Sequence, residues 1–278
     1  MGDLSGVVCD LDLVSQWLRG RPDTTRRAYE PVALTFVKAL GDSGIKGATV
    51  ERVTAYCDGF IGEPSTRARL VSTVKSLLSW AWRTGYTSVN VGRALRCVKV
   101  PSNLHKKLLE ESEVQALVRA CPPGRDHALL VLLYCSGIRI SEAVGLSWED
   151  LRGCHLTVLG KGTKTRTVLI PLAVADLIRT LSGGHQVAPG KPIFVSLVTG
   201  SRLGVRAARE AVYKAAERIG RSDLSPHWLR HAHATHALDR GAPIHVVQVS
   251  LGHGNVAVTS KYLHVKPSVG ASQWLVPV

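Results

Sequence analysis

The helical hydrophobic rhythm of this chain breaks in one place. Residues 155–159 and 166–170 alternate apolar and polar side chains, and between them lies Gly160-Lys161-Gly162-Thr163-Lys164-Thr165. Period-two patterning on both sides of a glycine-bearing turn predicts a β-hairpin. Nearly everywhere else the apolar residues recur at three- and four-residue intervals, the helix period. Leu11, Val14, Trp17 and Leu18 share such a face. A helix to Leu40 with Thr24 or Thr25 as its cap presents Tyr29, Val32, Phe36 and Leu40. A third helix is expected over 50–61, and a fourth after Pro64-Ser65 with Leu70, Val74, Leu77, Leu78 and Ala81 inward. Beyond residue 108 the expected helices are 125–135, 141–146, 173–181, 205–219, 226–239, 243–251 and 256–263, with acid at the opening turn Glu110-Glu111-Ser112-Glu113 as a helix dipole favours. One hairpin among so many helices predicts a mainly α fold with a small antiparallel β-sheet. A length of 278 residues suits two domains. The stretch 98–107, with its proline, asparagine and paired lysines, divides a helical domain (1–97) from a mixed α+β domain (108–278).

The partner class follows from charge. Lys and Arg number 35 against 21 Asp and Glu, a net charge of +14. The excess is +5 up to residue 100 and +9 after it, so both halves are suited to one polyanion. Aromatics are 5% of residues, too few for a base-stacking platform. The six cysteines are scattered without CxxC spacing and read as free thiols of a reducing compartment. No apolar run is long enough for a membrane span. The opening MGDLSGVVCDLD has neither a basic n-region nor the Ser/Thr of a myristoylation signal. A cytoplasmic protein, associated with the nucleoid, is expected. The cations expected to meet that polyanion, nucleic acid or an anionic membrane surface, are Arg67, Arg69 and Lys75 on one helix face, Lys106 and Lys107 in the linker, and Lys164 and Arg166 at the hairpin.

All eleven histidines lie after residue 100. The reactive residues there run in order: Arg139 and Glu142 in SGIRISEAVGL, Lys161 at the hairpin tip, His227 and Arg230 in HWLR, His253 in LGH and Tyr262 in YLH. Together they suit displacement at a phosphodiester without metal. Guanidinium forks neutralise charge growing on the equatorial oxygens and stay protonated. A tyrosine hydroxyl, with a pKa near 10, attacks phosphorus only beside a base or strong positive charge. The departing 5′-oxygen needs a proton, which a lysine among other cations can deliver.

These stretches, with GKGTKTRTVLIP and HWLRHAHATH, resemble the tyrosine recombinases of the phage-integrase type, in that family's order and spacing. The resemblance is specific over about 105–265 and loose before that. It implies an N-terminal helical core-binding domain closing with the catalytic domain as a clamp on double-stranded DNA, and a homo-tetramer on paired sites. It implies Tyr262 as the nucleophile forming a 3′-phosphotyrosyl bond, Arg139 and Arg230 clamping the phosphate, and Lys161 as general acid. His227 would assist proton transfer, His253 would bond the phosphate, and Glu142 would orient the arginine side. No metal and no cofactor are expected, and no ATP.

Each residue also has a plainer reading. Arg139 can be a helix-cap arginine paired with Glu142, Lys161 a turn lysine with Lys164 competing for the acid role, His227 a core histidine, His253 a cap and Tyr262 a packing residue. Their joint order argues against that. The run HAHATH (His231, His233, His236) resembles the H-x-H-x-D-H of zinc hydrolases, but Thr235 stands where the acid belongs and the run continues a helix. Asp126, Asp150, Asp176, Asp223 and Asp239 are too dispersed for two-metal chemistry. Two other functions share the scaffold: a type IB topoisomerase-like strand transferase and a non-catalytic DNA-binding protein. The tail ASQWLVPV places Trp274, Leu275 and Val276 for docking either on its own domain or on a neighbouring protomer.

Overall fold

The computed structural model describes residue 6 and residues 9–97, 108–160 and 165–252. The chain divides into two compact units, Met1–Ser102 and Asn103–Val278.

The first unit holds α1 (Asp10–Leu18), α2 (Asp23–Leu40), α3 (Val50–Asp58) and α4 (Pro64–Arg83). Its core joins Leu13, Val14 and Trp17 of α1, Phe36 and Leu40 of α2, Val53 of α3 and Leu70, Val74, Leu77, Leu78 and Ala81 of α4. All five residues that periodicity placed on α4's inner face are buried, and Val71 and Thr73, which it did not mark, are buried with them. At α1 it misassigned one: Leu11 is exposed and Leu13 is buried instead. The start of α2 also differs. Its N-cap is Pro22, whose carbonyl accepts from Thr25 N–H at 2.9 Å, so neither Thr24 nor Thr25 caps it. α3 stops at Asp58, three residues before the expected end. Asp10 ties the unit together: Oδ2 accepts from Ile45 N–H at 2.8 Å and Oδ1 from the Tyr86 hydroxyl at 2.7 Å.

The second unit holds α5 (Glu111–Ala120), α6 (Arg125–Ser136), α7 (Ile140–Gly145), β1 (Leu151–Arg152), β2 (His155–Leu159), β3 (Thr165–Leu169), α8 (Leu172–Arg179), α9 (Val205–Arg218), α10 (Pro226–Asp239) and α11 (Ile244–Leu251). The sheet has three antiparallel strands in the order β1-β2-β3 rather than the two the pattern shows. A two-residue strand is too short to display alternation. In β2 and β3 the register pairs Leu156 with Val168 on the buried face and Thr157 with Thr167 on the other. α6 is apolar almost all round, so it sits in the centre, and Leu129, Leu130, Leu132 and Leu133 are buried. Phe194, Val212, Leu229 and Ala232 close the core around it. The expected helix 256–263 lies outside the described residues, as does the linker 98–107.

Candidate active site

α6 ends at Ser136, and Gly137 turns the chain with φ +63°. A Cβ there would come within 2.5 Å of the His233 ring and 2.8 Å of Leu251, so both backbone and space call for glycine. The turn sets Arg139 as N-cap of α7. Its backbone N–H donates to Glu142 Oε2 at 2.8 Å and its Nη1 to Oε1 at 2.9 Å. Arg139 and Glu142 therefore do pair, as the plainer reading of the sequence had it, yet the Arg139 side chain remains 42% exposed against 5% for Glu142.

A second guanidinium reaches the same carboxylate. Arg166, from β3, donates Nη1 to Glu142 Oε1 at 3.0 Å, Nη2 to Oε2 at 2.8 Å and Nε to the Ser250 carbonyl at 3.0 Å. Burial alone would raise the Glu142 pKa. The hydrogen bonds and charges of Arg166 and Arg139 outweigh it and hold the carboxyl below its ordinary value. Arg166 is thus engaged within the protein, its side chain 14% exposed, rather than extended into solvent from the hairpin. Sequence offered no sign of this, because its partner lies 24 residues away on another element.

α10 brings the third and fourth groups. Pro226 opens the helix after Ser225, placing His227 in its first turn, where the helix dipole is positive. Arg230, one turn on, is buried; it donates Nη1 to the Gly137 carbonyl at 2.7 Å and Nη2 to the Leu251 carbonyl at 2.6 Å. Arg139, His227 and Arg230 line one cavity of about 360 Å³, with Ile138, Ile140, Ser141, Arg209, Tyr213, Ser225 and Pro226. Among the described residues three arginines and a histidine line it and no carboxylate does, so it attracts an anion and is built to stabilise one. Arg209, on α9, had no mark in the sequence beyond a polar face opposite the buried alanines.

The remaining α10 histidines divide by helix face. His231 lies against His227, ring centroids 4.7 Å apart. His233 donates Nδ1–H to the Tyr134 carbonyl at 2.8 Å. His236 bonds the Leu109 carbonyl through Nε2 at 2.9 Å, so its Nδ1 accepts from the Tyr134 hydroxyl at 3.0 Å. Two rings of HAHATH are therefore engaged with backbone carbonyls. Among the described residues no group of three His, Cys, Asp or Glu is placed to hold a metal ion.

On α4, Arg67 pairs with Asp58 at 2.5 Å and Lys75 donates to the Leu95 carbonyl at 2.6 Å, whereas Arg69 is exposed. Lys106, Lys107, Lys161, Lys164, His253, Tyr262 and the tail residues Trp274, Leu275 and Val276 lie outside the described residues.

Residues 107–268 match the family model described as the phage integrase family. Among curated proteins, the chain is 33% identical over 273 residues to tyrosine recombinase XerC of Mycobacterium tuberculosis (strain ATCC 25177 / H37Ra), spanning 88% of this chain and 89% of that protein. Among solved structures, a lambda integrase dimer bound to a COC′ core site superposes with a TM-score of 0.73 at 18% identity, covering 96% of this chain and 80% of that one. A lambda integrase tetramer bound to a Holliday junction gives 0.71 at 18% identity, over 90% and 78%.

Proposed function

This chain belongs to the phage integrase family and is a site-specific tyrosine recombinase; on that premise we propose that it cleaves DNA with Tyr262 as nucleophile, in the cavity that Arg139, His227 and Arg230 line. The observation that carries the reading is that cavity, which the described residues line with three arginines and a histidine. Two guanidiniums, one half-exposed and one buried, flank a histidine at a helix N-terminus. That set suits a phosphodiester whose charge grows during displacement.

In the proposed step the Tyr262 oxygen attacks phosphorus and the bond to the 5′-oxygen breaks. His227 takes the tyrosine proton, Lys161 gives one to the departing oxygen, and His253 bonds a phosphate oxygen. Arg139 and Arg230 hold the equatorial oxygens, and Glu142 orients Arg139. A 5′-hydroxyl of another strand then attacks the phosphotyrosine and releases the tyrosine. One phosphoester replaces another, so neither ATP nor metal is consumed. Exchange of strands between two duplexes needs four such sites, and the solved tetramer on a Holliday junction supports a homo-tetramer on paired sites for this chain. Such work belongs with the nucleoid, and among the described residues no helix is long and apolar enough to cross a membrane. The linker cations Lys106 and Lys107, the hairpin's Lys164 and Arg69 of α4 are proposed to meet the phosphate backbone.

Tyr213 is the rival nucleophile, because it lines the same cavity. On a nicked suicide duplex, Tyr262→Phe is expected to form no covalent adduct while binding DNA within a few-fold of the parent. Tyr213→Phe is expected to keep forming it. The reverse pattern would move the nucleophile to Tyr213; no adduct from the parent chain would sink the recombinase reading.

A further inference from the structure

Arg166, on β3 of the hairpin, joins the end of α11 and, through Glu142, Arg139. All three of its guanidinium nitrogens are engaged, two on the Glu142 carboxylate and one on the Ser250 carbonyl. The next carbonyl along, Leu251, accepts from Arg230. The last two carbonyls of α11, at the negative end of its dipole, thus hold two of the site's guanidiniums. Gly252 seals the arrangement: its φ is +66°, and a Cβ there would lie 3.0–3.1 Å from the Arg166 guanidinium.

We propose that Arg166 is a positioning residue for strand cleavage, its fork fixing Glu142 and, through it, the Arg139 guanidinium that meets the scissile phosphate. The proposal deepens the functional reading above and rests on it. The charge arithmetic gives the reason. Glu142 alone with Arg139 is a neutral pair, and the carboxylate competes with DNA for that arginine. Arg166 supplies the second cation, so the trio carries a net positive charge and Arg139 can serve the phosphate without leaving Glu142 unpaired in the interior. The fork also fixes both oxygens of the carboxylate that Arg139 meets, and a flexible arginine anchored in advance loses less freedom when it binds.

The test compares Arg166→Gln with the parent on a nicked duplex carrying the core site selected by the parent chain. One version has an ordinary scissile phosphate and the other an uncharged methylphosphonate there. The uncharged group has little need of Arg139. Single-turnover adduct formation by Arg166→Gln is expected to fall by about 30-fold or more on the phosphate, approaching the roughly 10²–10³-fold loss of a direct transition-state donor, and by only a few-fold on the methylphosphonate. DNA affinity is expected to stay within about threefold, and Arg166→Lys, with charge but no fork, to lie between. Equal slowing on both substrates would overturn the proposal in favour of general disorder. Weakened binding with a salt slope lower by about one would overturn it in favour of a direct phosphate contact. If Arg166→Gln does not fold, Arg166→Lys carries the same comparison with the same outcomes. Titration with inorganic phosphate, followed at the Arg139 Nε–H signal, reads the positioning without turnover. The parent is expected to saturate at several-fold lower phosphate than the variant, and equal midpoints overturn the role even if the parent forms no adduct, an outcome that would separately sink the recombinase reading.

Discussion

At His233 the imidazole is held between the turn after α6 and the helix that carries Arg230. Burial pushes its pKa below the ordinary 6.5; Arg230 and His236 add to this, and the bond to the Tyr134 carbonyl opposes it. The ring is therefore neutral when folded at neutral pH. Unfolding lets it protonate at its ordinary value, so its contribution to stability is whole above pH 6.5 and is lost as pH falls from there toward the depressed folded value. Chemical denaturation of the catalytic unit between pH 7.5 and 5 should show a decline of at most about 1.4 kcal/mol per pH unit from this one proton. His233→Asn keeps a donor for Tyr134 but does not titrate, and its profile should be flatter over that window. An unchanged slope would mean that other groups carry the acid sensitivity. Glu142 acts in the same direction at lower pH: its depressed carboxyl stabilises the fold above the ordinary carboxylate value and loses that as pH falls through the folded one. Residue types and spacing picked out Arg139, Glu142, His227 and Arg230. They did not pick out Arg166 as an interior residue, because a guanidinium's partner is decided by packing.

Among the elements, α2 carries the clearest local cost. Pro31 lies in the interior of its 18 residues, where it has no N–H to give the carbonyl four residues back. The position is exposed, so water can serve that carbonyl, and the buried faces of Ala33, Phe36 and Leu40 hold the helix together regardless. Pro31→Ala is expected to stabilise the N-terminal unit by up to about 3 kcal/mol, read as a higher unfolding midpoint for that unit. No gain would mean that the ring's bend is needed for α2 to pack. The same comparison of pattern with packing explains which elements were legible. α4, with 20 residues, repeats its apolar face often enough for the period to be unambiguous. β1, with two, cannot show a period and forms because β2 offers an edge.

For the whole molecule, the net charge of +14 predicts how binding responds to salt. If the chain neutralises roughly 6–10 phosphates, its affinity for duplex DNA should fall by about 10³–10⁵ between 50 and 200 mM salt. Anisotropy titrations with Tyr262→Phe would measure this without covalent capture, and a flat response would mean that the charge is not spent on phosphates. The amino-acid order by itself determined the helical class with one hairpin, the basic character of both halves, and the ordered set of reactive residues that marks the family. Those are properties of local period, composition and spacing, and they survive without knowledge of what touches what. Only the tertiary structure decided how the groups share their work. Packing buried Arg230 against the carbonyls of Gly137 and Leu251, turned two of the α10 histidines toward backbone oxygens, brought Tyr213 and Arg209 into the cavity, and drew Arg166 inward onto Glu142. A charged side chain inside a protein must find its counter-charge or carbonyl across the fold, and that search is settled by the approach of whole elements rather than by neighbours in the chain.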